Sequence, residues 1–290
     1  MRERAKFADY LELTKPRLSL LSVLTALVGY DVERPFAGWV GLIWVLLGTS
    51  LAAGGVAALN QWMEHDTDAR MKRTAERPIP AGKVATGSAF VLGSLMCILA
   101  LMLIFAGVNG IAALFTLLTM IAYLAWYTPA KRSSRWSTEI GAVAGALPPL
   151  IGTAAAAYRI SPLGWILFGI LFFWQIPHFM AVAWTYRRDY AAVRFPMLPV
   201  RDESGAWVAR WALVATILLV AVSLLPYALR LATLWYAAAA AIFGGWMLWQ
   251  AIAFLRPSRR DAAARQLFLA SIGYLPLALG ALVADRLIHF

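Results

Sequence analysis

Three polar residues stand where a long uncharged stretch ends, and their spacing places them on one face of a helix. Asn60, Glu64 and Asp68 are separated by four residues each, and the uncharged stretch covers residues 35–63. Each step of four residues turns the side chain by only about 40°, so all three point the same way. Carboxylate and amide oxygens at membrane depth are costly unless they hold a cation or line a polar cavity. The pattern therefore predicts a site for a hard metal ion.

Basic residues follow this acidic face along the chain, namely Lys72, Arg73, Arg77 and Lys83. Carboxylates that hold a hard metal, with cations close by, are what a diphosphate group requires. Asp66 lies about 240° around the helix from Asn60, so we exclude it from the metal face. Together these residues predict a lipid-diphosphate site at a membrane surface.

The composition indicates an integral membrane protein. Of the 290 residues, 61% are hydrophobic and only 14% are charged, and the mean hydropathy is +0.69. Soluble domains carry about 25% charged residues, so most of this chain must face lipid or other helices. No linker or low-complexity segment divides the chain, and we predict one membrane domain over residues 1–290. The single cysteine, Cys97, is predicted to pack in the apolar core.

The charged residues divide the chain into pieces of membrane length. The uncharged stretches are 18–30, 35–63, 84–130, 140–158, 160–186, 211–229, 231–255 and 266–284. Because about 20 residues cross a bilayer, the stretch 84–130 is too long for one crossing, and it divides at the turn-rich sequence Gly107-Val108-Asn109-Gly110. The first stretch is short, but its helix can begin near Thr14 if nearby basic side chains snorkel. We therefore predict an all-α fold with nine transmembrane helices.

The Lys and Arg residues are divided unequally between the two sets of loops that nine helices create. The N-terminus and the segments 61–84, 131–136, 187–210 and 256–265 carry 22 of the 26 basic residues. The other set carries Arg34, Arg159, Arg230 and Arg286. By the positive-inside rule the N-terminus is predicted to be cytoplasmic and the C-terminus periplasmic. The net charge of +11 therefore needs no nucleic acid to explain it.

Further unusual polar residues lie on the predicted cytoplasmic side. Lys15 and Arg17 flank the start of the first predicted helix, and Lys131 and Arg132 follow the fourth. These four fit two interpretations, interfacial anchors or ligands of the diphosphate. Asp189 follows the sixth predicted helix. It can belong to the site or form a surface ion pair with Arg187 or Arg188.

His178 lies inside the sixth predicted helix and has three possible roles. It can be a hydrogen-bonded core residue, a contact to an acceptor substrate, or a ligand of a haem iron. His178 and Asp189 are 11 residues apart, close to three full turns, so both would share a helix face if Pro177 only bends the helix.

These motifs resemble the UbiA superfamily of intramembrane prenyltransferases, and most closely its protohaem IX farnesyltransferase (haem O synthase) branch. The resemblance extends from about residue 10 to residue 200. It is carried by Leu13-Thr14-Lys15-Pro16-Arg17, Asn60-Gln61 with Glu64 and Asp68, Met71-Lys72-Arg73-Thr74, Arg77-Pro78, Tyr127-Thr128, Lys131-Arg132, the segment 145–152, Trp174-Gln175-Ile176-Pro177-His178-Phe179, Asp189-Tyr190 and Pro196-Met197-Leu198-Pro199-Val200. The last three helices carry no informative motif.

The resemblance implies a nine-helix bundle around a central cavity that opens laterally to lipid, in a bacterial inner membrane. It implies a reaction in which farnesyl diphosphate and haem b give haem O. The cofactor implied is Mg²⁺, and its ligands, which are also the catalytic residues, would be Asn60, Glu64, Asp68 and Asp189. The diphosphate would be bound by Lys15, Arg17, Arg73, Lys131 and Arg132. The acceptor would be bound by Trp174, Gln175 and His178. Membrane lipid and a haem A synthase or oxidase assembly protein are the further partners implied.

The sequence departs from the superfamily pattern at the second acidic motif. Paired aspartates are usual there, but Arg188 precedes Asp189 and Val193 stands four residues on, which predicts a weak or absent second metal site. Glu139 adds a carboxylate after the fourth helix. Two other functions remain open, namely prenyl transfer to an aromatic quinone precursor and non-catalytic transport of a lipid or porphyrin, since broken helices suit transporters too.

Overall fold

The computed structural model describes residues 5–33 and 38–289, and within these ranges its regular structure is helical, with no β-strand. The long helices and helix pairs are α2 (Pro16–Glu33), α3 (Trp39–Asp68), α4 (Thr86–Gly107), α5 and α6 (Gly110–Ile121 and Thr128–Ser133), α7 and α8 (Ser137–Ala146 and Pro148–Ala157), α9 (Pro162–Thr185), α12 (Ala206–Ala228), α13 (Leu234–Phe254) and α14 (Arg260–His289). The short helices are α1 (Phe7–Leu13), α10 (Arg187–Ala192) and α11 (Leu198–Arg201).

The predicted class, an all-α membrane protein, is confirmed. In the described ranges, eight helical segments are long and apolar enough to cross a membrane. Helix α2 is the ninth long segment, but its 18 residues include Arg17, Asp31 and Glu33. The ninth crossing therefore stays a prediction. Arg34 and residues 1–4, which entered the charge count, lie outside the described residues.

Local sequence accounts for where the helices begin and end. The predicted break after Gly107 is present, and α5 begins at Gly110 because the Asn109 side chain accepts a hydrogen bond of 2.8 Å from the backbone amide of Ala112. A single turn of π-helix, Ala122–Tyr127, joins α5 to α6. Such turns are frequent at functional sites, and this one carries two tyrosines toward the interior of the bundle.

Two glycines bring α2 into close contact with α8. A Cβ atom at Gly152 would lie 1.9 Å from the carbonyl oxygen of Ala26, and one at Gly29 would lie 2.1 Å from that of Pro149. Only glycine permits this approach of two backbones. The contact fixes the position of α2 and therefore that of Lys15, which precedes its first residue.

A large apolar core lies between α9, α12, α13 and α14, where Tyr236, Phe254 and Tyr274 are among the fully buried side chains. Exposed apolar side chains cover the outer faces, for example Met102 and Phe105 on α4. Since these faces would be unstable in water over such an area, they indicate contact with lipid.

The orientation in the membrane can be tested with reporter fusions. A reporter fused after Phe290 is expected on the periplasmic side, and one inserted at Ala81 on the cytoplasmic side, because 22 of 26 basic residues lie in one set of loops. Alkaline phosphatase activity and green fluorescence would report the two sides. If both reporters were found on one side, the number of crossings between Ala81 and Phe290 would be even, and the predicted topology would be wrong.

Candidate functional site

A central cavity of about 480 Å³ opens at the end of the bundle where α3 and α9 finish. Its walls come from the start of α2, the end of α3, the π-turn and α6, α7, α9, and the connections that follow α3 and α9. Its ionisable and polar lining residues are Lys15, Asn60, Glu64, Thr67, Asp68, Arg73, Thr74, Arg77, Tyr123, Tyr127, Lys131, Thr138, Gln175 and Tyr190.

The predicted acidic face of α3 lines this cavity. Asn60, Glu64 and Asp68 are all buried, and each contacts a basic group from another part of the chain. Lys15 Nζ donates to Asn60 Oδ1 over 3.0 Å, Lys131 Nζ donates to Glu64 Oε2 over 3.0 Å, and Arg77 Nη1 donates to Asp68 Oδ2 over 2.6 Å. Two segments distant in sequence and the connection that follows α3 therefore converge on one helix face.

The oxygen atoms of this face fit a magnesium ion that is shared with an anionic ligand. Glu64 and Asp68 are one turn apart, and Lys131 Nζ lies 2.9 Å from Glu64 Oε1 and 3.0 Å from Oε2, so a metal ion at Glu64 would take the place of this ammonium group. No group of three His, Cys, Asp or Glu side chains in the described residues converges on a single point. Mg²⁺ commonly uses one or two carboxylates and completes its octahedron with water and substrate phosphate. The protein supplies such a partial set here.

Four cations line the cavity against two carboxylates, which leaves a net positive surface for an anion. They are Lys15, Arg73, Arg77 and Lys131. Burial, together with the neighbouring charges of Arg77 and Lys131, lowers the pKa of Lys15 to about 7. Cations crowded in this way would each gain from a bound diphosphate, which offers several anionic oxygens.

Aromatic residues surround the cations. Lys131 Nζ lies 4.6 Å from the ring centroid of Tyr127, and the guanidinium group of Arg73 lies 5.3 Å and 5.6 Å from the rings of Tyr186 and Tyr190. Arg73 also donates to the Tyr190 hydroxyl over 3.3 Å. Arg73 thus links the connection after α3 to the segment after α9 across the mouth of the cavity.

A smaller apolar pocket of about 120 Å³ continues from the cavity into the bundle. The two share Lys15, Leu18, Tyr123 and Gly145. Beyond these residues the pocket is lined by apolar and hydroxyl side chains, including Val56, Met120 and Ile151. A ligand with a charged head and a hydrocarbon tail can occupy both spaces.

Arg17 does not line the cavity, which corrects its place in the predicted diphosphate set. Its side chain is exposed at the start of α2. Lys15 lies immediately before α2 and has a left-handed backbone conformation with φ of 46°, so its side chain does not follow the helical direction of Arg17. Lys15 points into the bundle and lines the cavity, and Arg17 does not.

Arg132 also lies outside the cavity, which corrects a second member of that set. Its guanidinium group makes two hydrogen bonds to the Asp66 carboxylate, of 2.6 Å and 3.1 Å, on the exposed side of α3. A third bond, of 3.0 Å, goes to the carbonyl oxygen of Met63. The pairing with Arg132 confirms that Asp66 points away from the acidic face. Lys131 and Arg132, adjacent in sequence, thus serve opposite faces of α3.

Asp189 is half-buried near the mouth but does not line the cavity, and its carboxylate pairs with none of the described residues. The neighbouring Tyr190 faces the cavity instead. The expectation that Asp189 shares a helix face with His178 is wrong, because α9 ends at Thr185 and a separate helix, α10, begins at Arg187.

Trp174 and His178, both predicted to bind the acceptor, contact α14 and do not line the cavity. Trp174 Nε1 donates to the carbonyl oxygen of Ser271 over 2.7 Å, and the His178 ring stacks on Trp174 at 5.0 Å. His178 Nδ1 lies 2.7 Å from Ser271 Oγ, whose hydroxyl donates to the carbonyl oxygen of Phe268. His178 Nδ1 is therefore the donor.

Gln175 is the member of the predicted acceptor set that lines the cavity, together with Phe179. Its Nε2 donates to the carbonyl oxygens of Leu171 and Ala142 over 3.1 Å and 3.2 Å. A Cβ atom at Gly145 would lie 2.0 Å from Gln175 Oε1, so the glycine makes room for this side chain. Helix α9 thus presents Gln175 and Phe179, four residues apart, to the cavity.

Several residues at the cavity are not among those that the resemblance assigns to the site. Arg77 is the clearest: it stands in the basic segment that the sequence associates with the diphosphate and in the Arg77-Pro78 motif, but only the structure shows its pairing with Asp68. Thr128 does not line the cavity, but its hydroxyl accepts a 3.1 Å hydrogen bond from Asn60 Nδ2, and the Tyr127-Thr128 motif is its signal in the sequence. Tyr123 had none, because a lone tyrosine in an apolar stretch is usually core. Glu139 accepts a 2.5 Å hydrogen bond from Trp211 Nε1 on α12 and does not line the cavity.

The sequence matches the UbiA prenyltransferase family over residues 22–272. A protein of Opitutus terrae named protoheme IX farnesyltransferase is 70% identical over 283 residues, covering 98% of this chain and 96% of that protein. A protein of the same name from Solibacter usitatus is 40% identical, covering 96% and 98%.

Solved structures share the fold at low sequence identity. A structure described as that of digeranylgeranylglyceryl phosphate synthase in membranes superposes with a TM-score of 0.83 at 17% identity, covering 97% of this chain and 98% of that one. A UbiA homologue of Archaeoglobus fulgidus bound to GPP and Mg²⁺ gives a TM-score of 0.65 at 14% identity, covering 94% and 99%.

Proposed function

Because the chain belongs to the UbiA prenyltransferase family, and is thus a multi-pass prenyltransferase of the cell membrane, we propose that it transfers a farnesyl group to haem b. The donor is farnesyl diphosphate and the product is haem O, in which a hydroxyethylfarnesyl group replaces a vinyl group. The relatives named protoheme IX farnesyltransferase, similar over nearly their whole length, support this acceptor.

One observation carries the proposal. A buried face with two carboxylates and an amide meets four cations in a cavity that continues as an apolar pocket. The polar part suits a diphosphate with a bound divalent ion, and the apolar part suits the isoprenoid tail. A non-catalytic transporter has no need of a metal face beside cations at one end of the bundle only.

The metal face and the cations both stabilise the diphosphate leaving group. Asn60, Glu64 and Asp68 would hold Mg²⁺, which supplies Lewis-acid polarisation of the diphosphate oxygens. Lys15, Arg73, Arg77 and Lys131 neutralise charge that grows on the diphosphate as the carbon–oxygen bond of farnesyl C1 breaks and the electron pair leaves with the diphosphate. The set omits Arg17 and Arg132 because of their positions. Asp189, at the mouth, is at most a further ligand.

The apolar walls protect the allylic cation that remains. The pocket that holds its tail contains few polar groups, so water is kept from the cation until the acceptor arrives. The vinyl carbon attacks farnesyl C1, the positive charge moves to the carbon next to the porphyrin ring, and water adds there with loss of a proton. Gln175 and Phe179 form the wall of the cavity at α9 and are the residues that we place against the acceptor.

The position of His178 yields a prediction that separates packing from substrate binding. His178→Ala should lower the free energy of unfolding by about 1–3 kcal/mol, because a partly buried hydrogen bond to Ser271 and three ring contacts, with Trp174, Phe179 and Phe268, are lost. The KM values for haem b and farnesyl diphosphate should stay within about twofold. Thermal unfolding in detergent and steady-state kinetics would measure the two effects.

Phe179→Ala is the matched comparison, since the residue is adjacent but lines the cavity. It should raise the KM for haem b with a smaller loss of stability. If the His178→Ala protein were stable but had a strongly raised KM for haem b, His178 would have to be assigned to the acceptor site.

The reaction itself is tested by identifying the product. Membranes containing the protein would be supplied with farnesyl diphosphate and either haem b or an aromatic acid that serves as a quinone precursor, and the products analysed by mass spectrometry. We expect haem b to gain the mass of one farnesyl group and one hydroxyl group, since water adds and a proton leaves. Prenylation of the aromatic acid alone would overturn the acceptor, and no consumption of farnesyl diphosphate would overturn the reaction.

A further inference from the structure

A second cavity, of about 900 Å³, lies at the same end of the bundle, between the ends of α9, α13 and α14. We call it the arginine groove, because its walls include Arg187, Arg256, Arg259 and Arg260 together with Trp184 and Trp249. It shares no lining residue with the central cavity. Helix α9 separates the two, with Val182 and Ala183 facing the central cavity and Trp184 facing the groove. The groove is therefore not part of the diphosphate site.

The groove has an excess of positive charge. Asp261 is the one acidic residue in its lining against four arginines, which gives a net charge of +3. Arg187 lies 3.4 Å from the Asp261 carboxylate and 4.1 Å from the Trp184 ring. The charge of Arg187 is therefore already paired within the protein. Trp184 Nε1 also donates to Asp261 Oδ1 over 2.7 Å.

Two of the remaining arginines are available for a ligand. Arg260 is buried and donates to the carbonyl oxygens of Ser204, Phe254 and Leu255, so it closes the end of α13. Arg256 and Arg259 are exposed, and within residues 5–33 and 38–289 neither makes an ion pair. Their charges offer an anion two unpaired guanidinium groups.

The wall of the groove that α13 forms carries exposed apolar side chains. Trp249 is 69% exposed and Ile252 is 46% exposed, and both lie on α13 within two turns of Arg256. Tryptophan near the end of a transmembrane helix is typical of the boundary between lipid headgroups and hydrocarbon. A ligand that fits both parts has an anionic head at the arginines and hydrocarbon chains along α13.

We propose that the arginine groove binds a phospholipid with an anionic phosphate headgroup. Its phosphate contacts Arg256 and Arg259, and its acyl chains lie against Trp249 and Ile252. Basic clusters at helix ends on the cytoplasmic side are attracted to anionic lipid by electrostatics, and a groove between helices adds shape. The inference does not depend on the reaction proposed above, since binding is measured without turnover.

Native mass spectrometry of the purified full-length protein tests this directly. The protein in detergent would be titrated with phosphatidylglycerol and with phosphatidylcholine that carry the same acyl chains. We expect phosphatidylglycerol to bind at least about tenfold more tightly, and this preference to weaken with added salt. The double variant Arg256→Gln/Arg259→Gln should lose about 30-fold in affinity for phosphatidylglycerol. Its affinity for phosphatidylcholine, whose phosphate charge is offset by the quaternary ammonium group of choline, should change much less.

Arg265→Gln is the matched control, because Arg265 is exposed on α14 at the same end but does not line the groove. It should bind phosphatidylglycerol like the unmodified protein. An unmodified protein that does not discriminate between the two lipids would overturn the proposal, as would equal losses in the double variant and the control.

Two competitors decide what kind of anion the groove takes. Glycerol phosphate, which has the head but no acyl chains, should displace phosphatidylglycerol poorly, and so should haem b. Efficient displacement by glycerol phosphate would make the groove a site for soluble anions, and displacement by haem b would make it part of the acceptor site. Either result overturns the lipid assignment. If the double variant unfolds, the lipid preference and salt dependence of the unmodified protein still decide.

Discussion

The Asp68→Asn variant is expected to lose turnover by about 10²-fold or more while still inserting into the membrane and folding. Lewis-acid stabilisation by a bound metal contributes several kcal/mol to a transition state, and each 1.4 kcal/mol corresponds to about tenfold in rate. Asparagine keeps the size and one oxygen of the side chain but removes the charge that holds both the metal and Arg77. Farnesyl diphosphate consumption at several Mg²⁺ concentrations would measure the loss.

Glu64→Gln should have a similar effect, and Asp66→Asn is the control for both. Asp66 lies on the same helix, but its carboxylate is bound to Arg132 on the exposed side. The control should therefore keep most of the activity, while the other two variants also need more Mg²⁺. Near-normal turnover of Asp68→Asn at low Mg²⁺ would rule out the metal face.

Lys131→Gln is expected to lower kcat/KM by about 10²–10³-fold, the usual cost of removing a group that stabilises developing negative charge. Lys131 Nζ lies 3.0 Å from Glu64 Oε2 inside the cavity and is the cation nearest to that carboxylate. When the diphosphate binds, this ammonium group can move from Glu64 to a diphosphate oxygen. Single-turnover kinetics with saturating farnesyl diphosphate would separate the chemical step from binding.

Arg132, the residue next to Lys131, provides the control for this prediction. Arg132→Gln removes the same unit of charge but breaks only exposed contacts, a hydrogen bond to the Met63 carbonyl oxygen and the ion pair with Asp66, and an exposed ion pair contributes about 0–1 kcal/mol. Its kcat/KM should stay within about threefold of the unmodified protein. Equal losses in the two variants would indicate that the net charge of the loop matters rather than the contact with Glu64.

The acidic face of α3 could be predicted from the sequence because it depends on helical periodicity alone. Asn60, Glu64 and Asp68 are on one uninterrupted helix, so their common direction follows from their spacing. The exclusion of Asp66 follows from the same geometry, and its pairing with Arg132 confirms it. The approximate bounds of the eight long apolar segments likewise follow from charge and hydropathy, while the ninth crossing stays a prediction.

The basic residues could not be placed by spacing because they lie beside helix ends and turns. Lys15 and Arg17 are separated by a change of backbone direction at φ of 46°, which nothing in the Thr14-Lys15-Pro16-Arg17 sequence specifies. Lys131 and Arg132 have equal chemistry, and only the packing of α6 against α3 decides which one reaches Glu64.

The orientation of α9 is likewise set by tertiary contacts. The sequence places Trp174, Gln175 and His178 within one turn of each other, so any of them could face the cavity. Ser271 on α14 offers hydrogen-bond partners to Trp174 and His178, and that leaves Gln175 on the side of Gly145. The arginine groove was not predicted for the same reason, since it exists only where α9, α13 and α14 meet.

The central claim, that a diphosphate and a divalent metal bind together between the face of α3 and the four cations, is tested most directly by a structure of the complex. The protein would be crystallised or imaged with farnesyl thiodiphosphate, which resists cleavage, and with Mn²⁺ in place of Mg²⁺. The account predicts Mn²⁺ bound by Glu64 and Asp68, the diphosphate contacting Lys131 and Arg77, and the farnesyl chain in the apolar pocket beside Met120. A diphosphate bound elsewhere, or carboxylates still paired with Lys131 and Arg77 and no metal beside them, would contradict it.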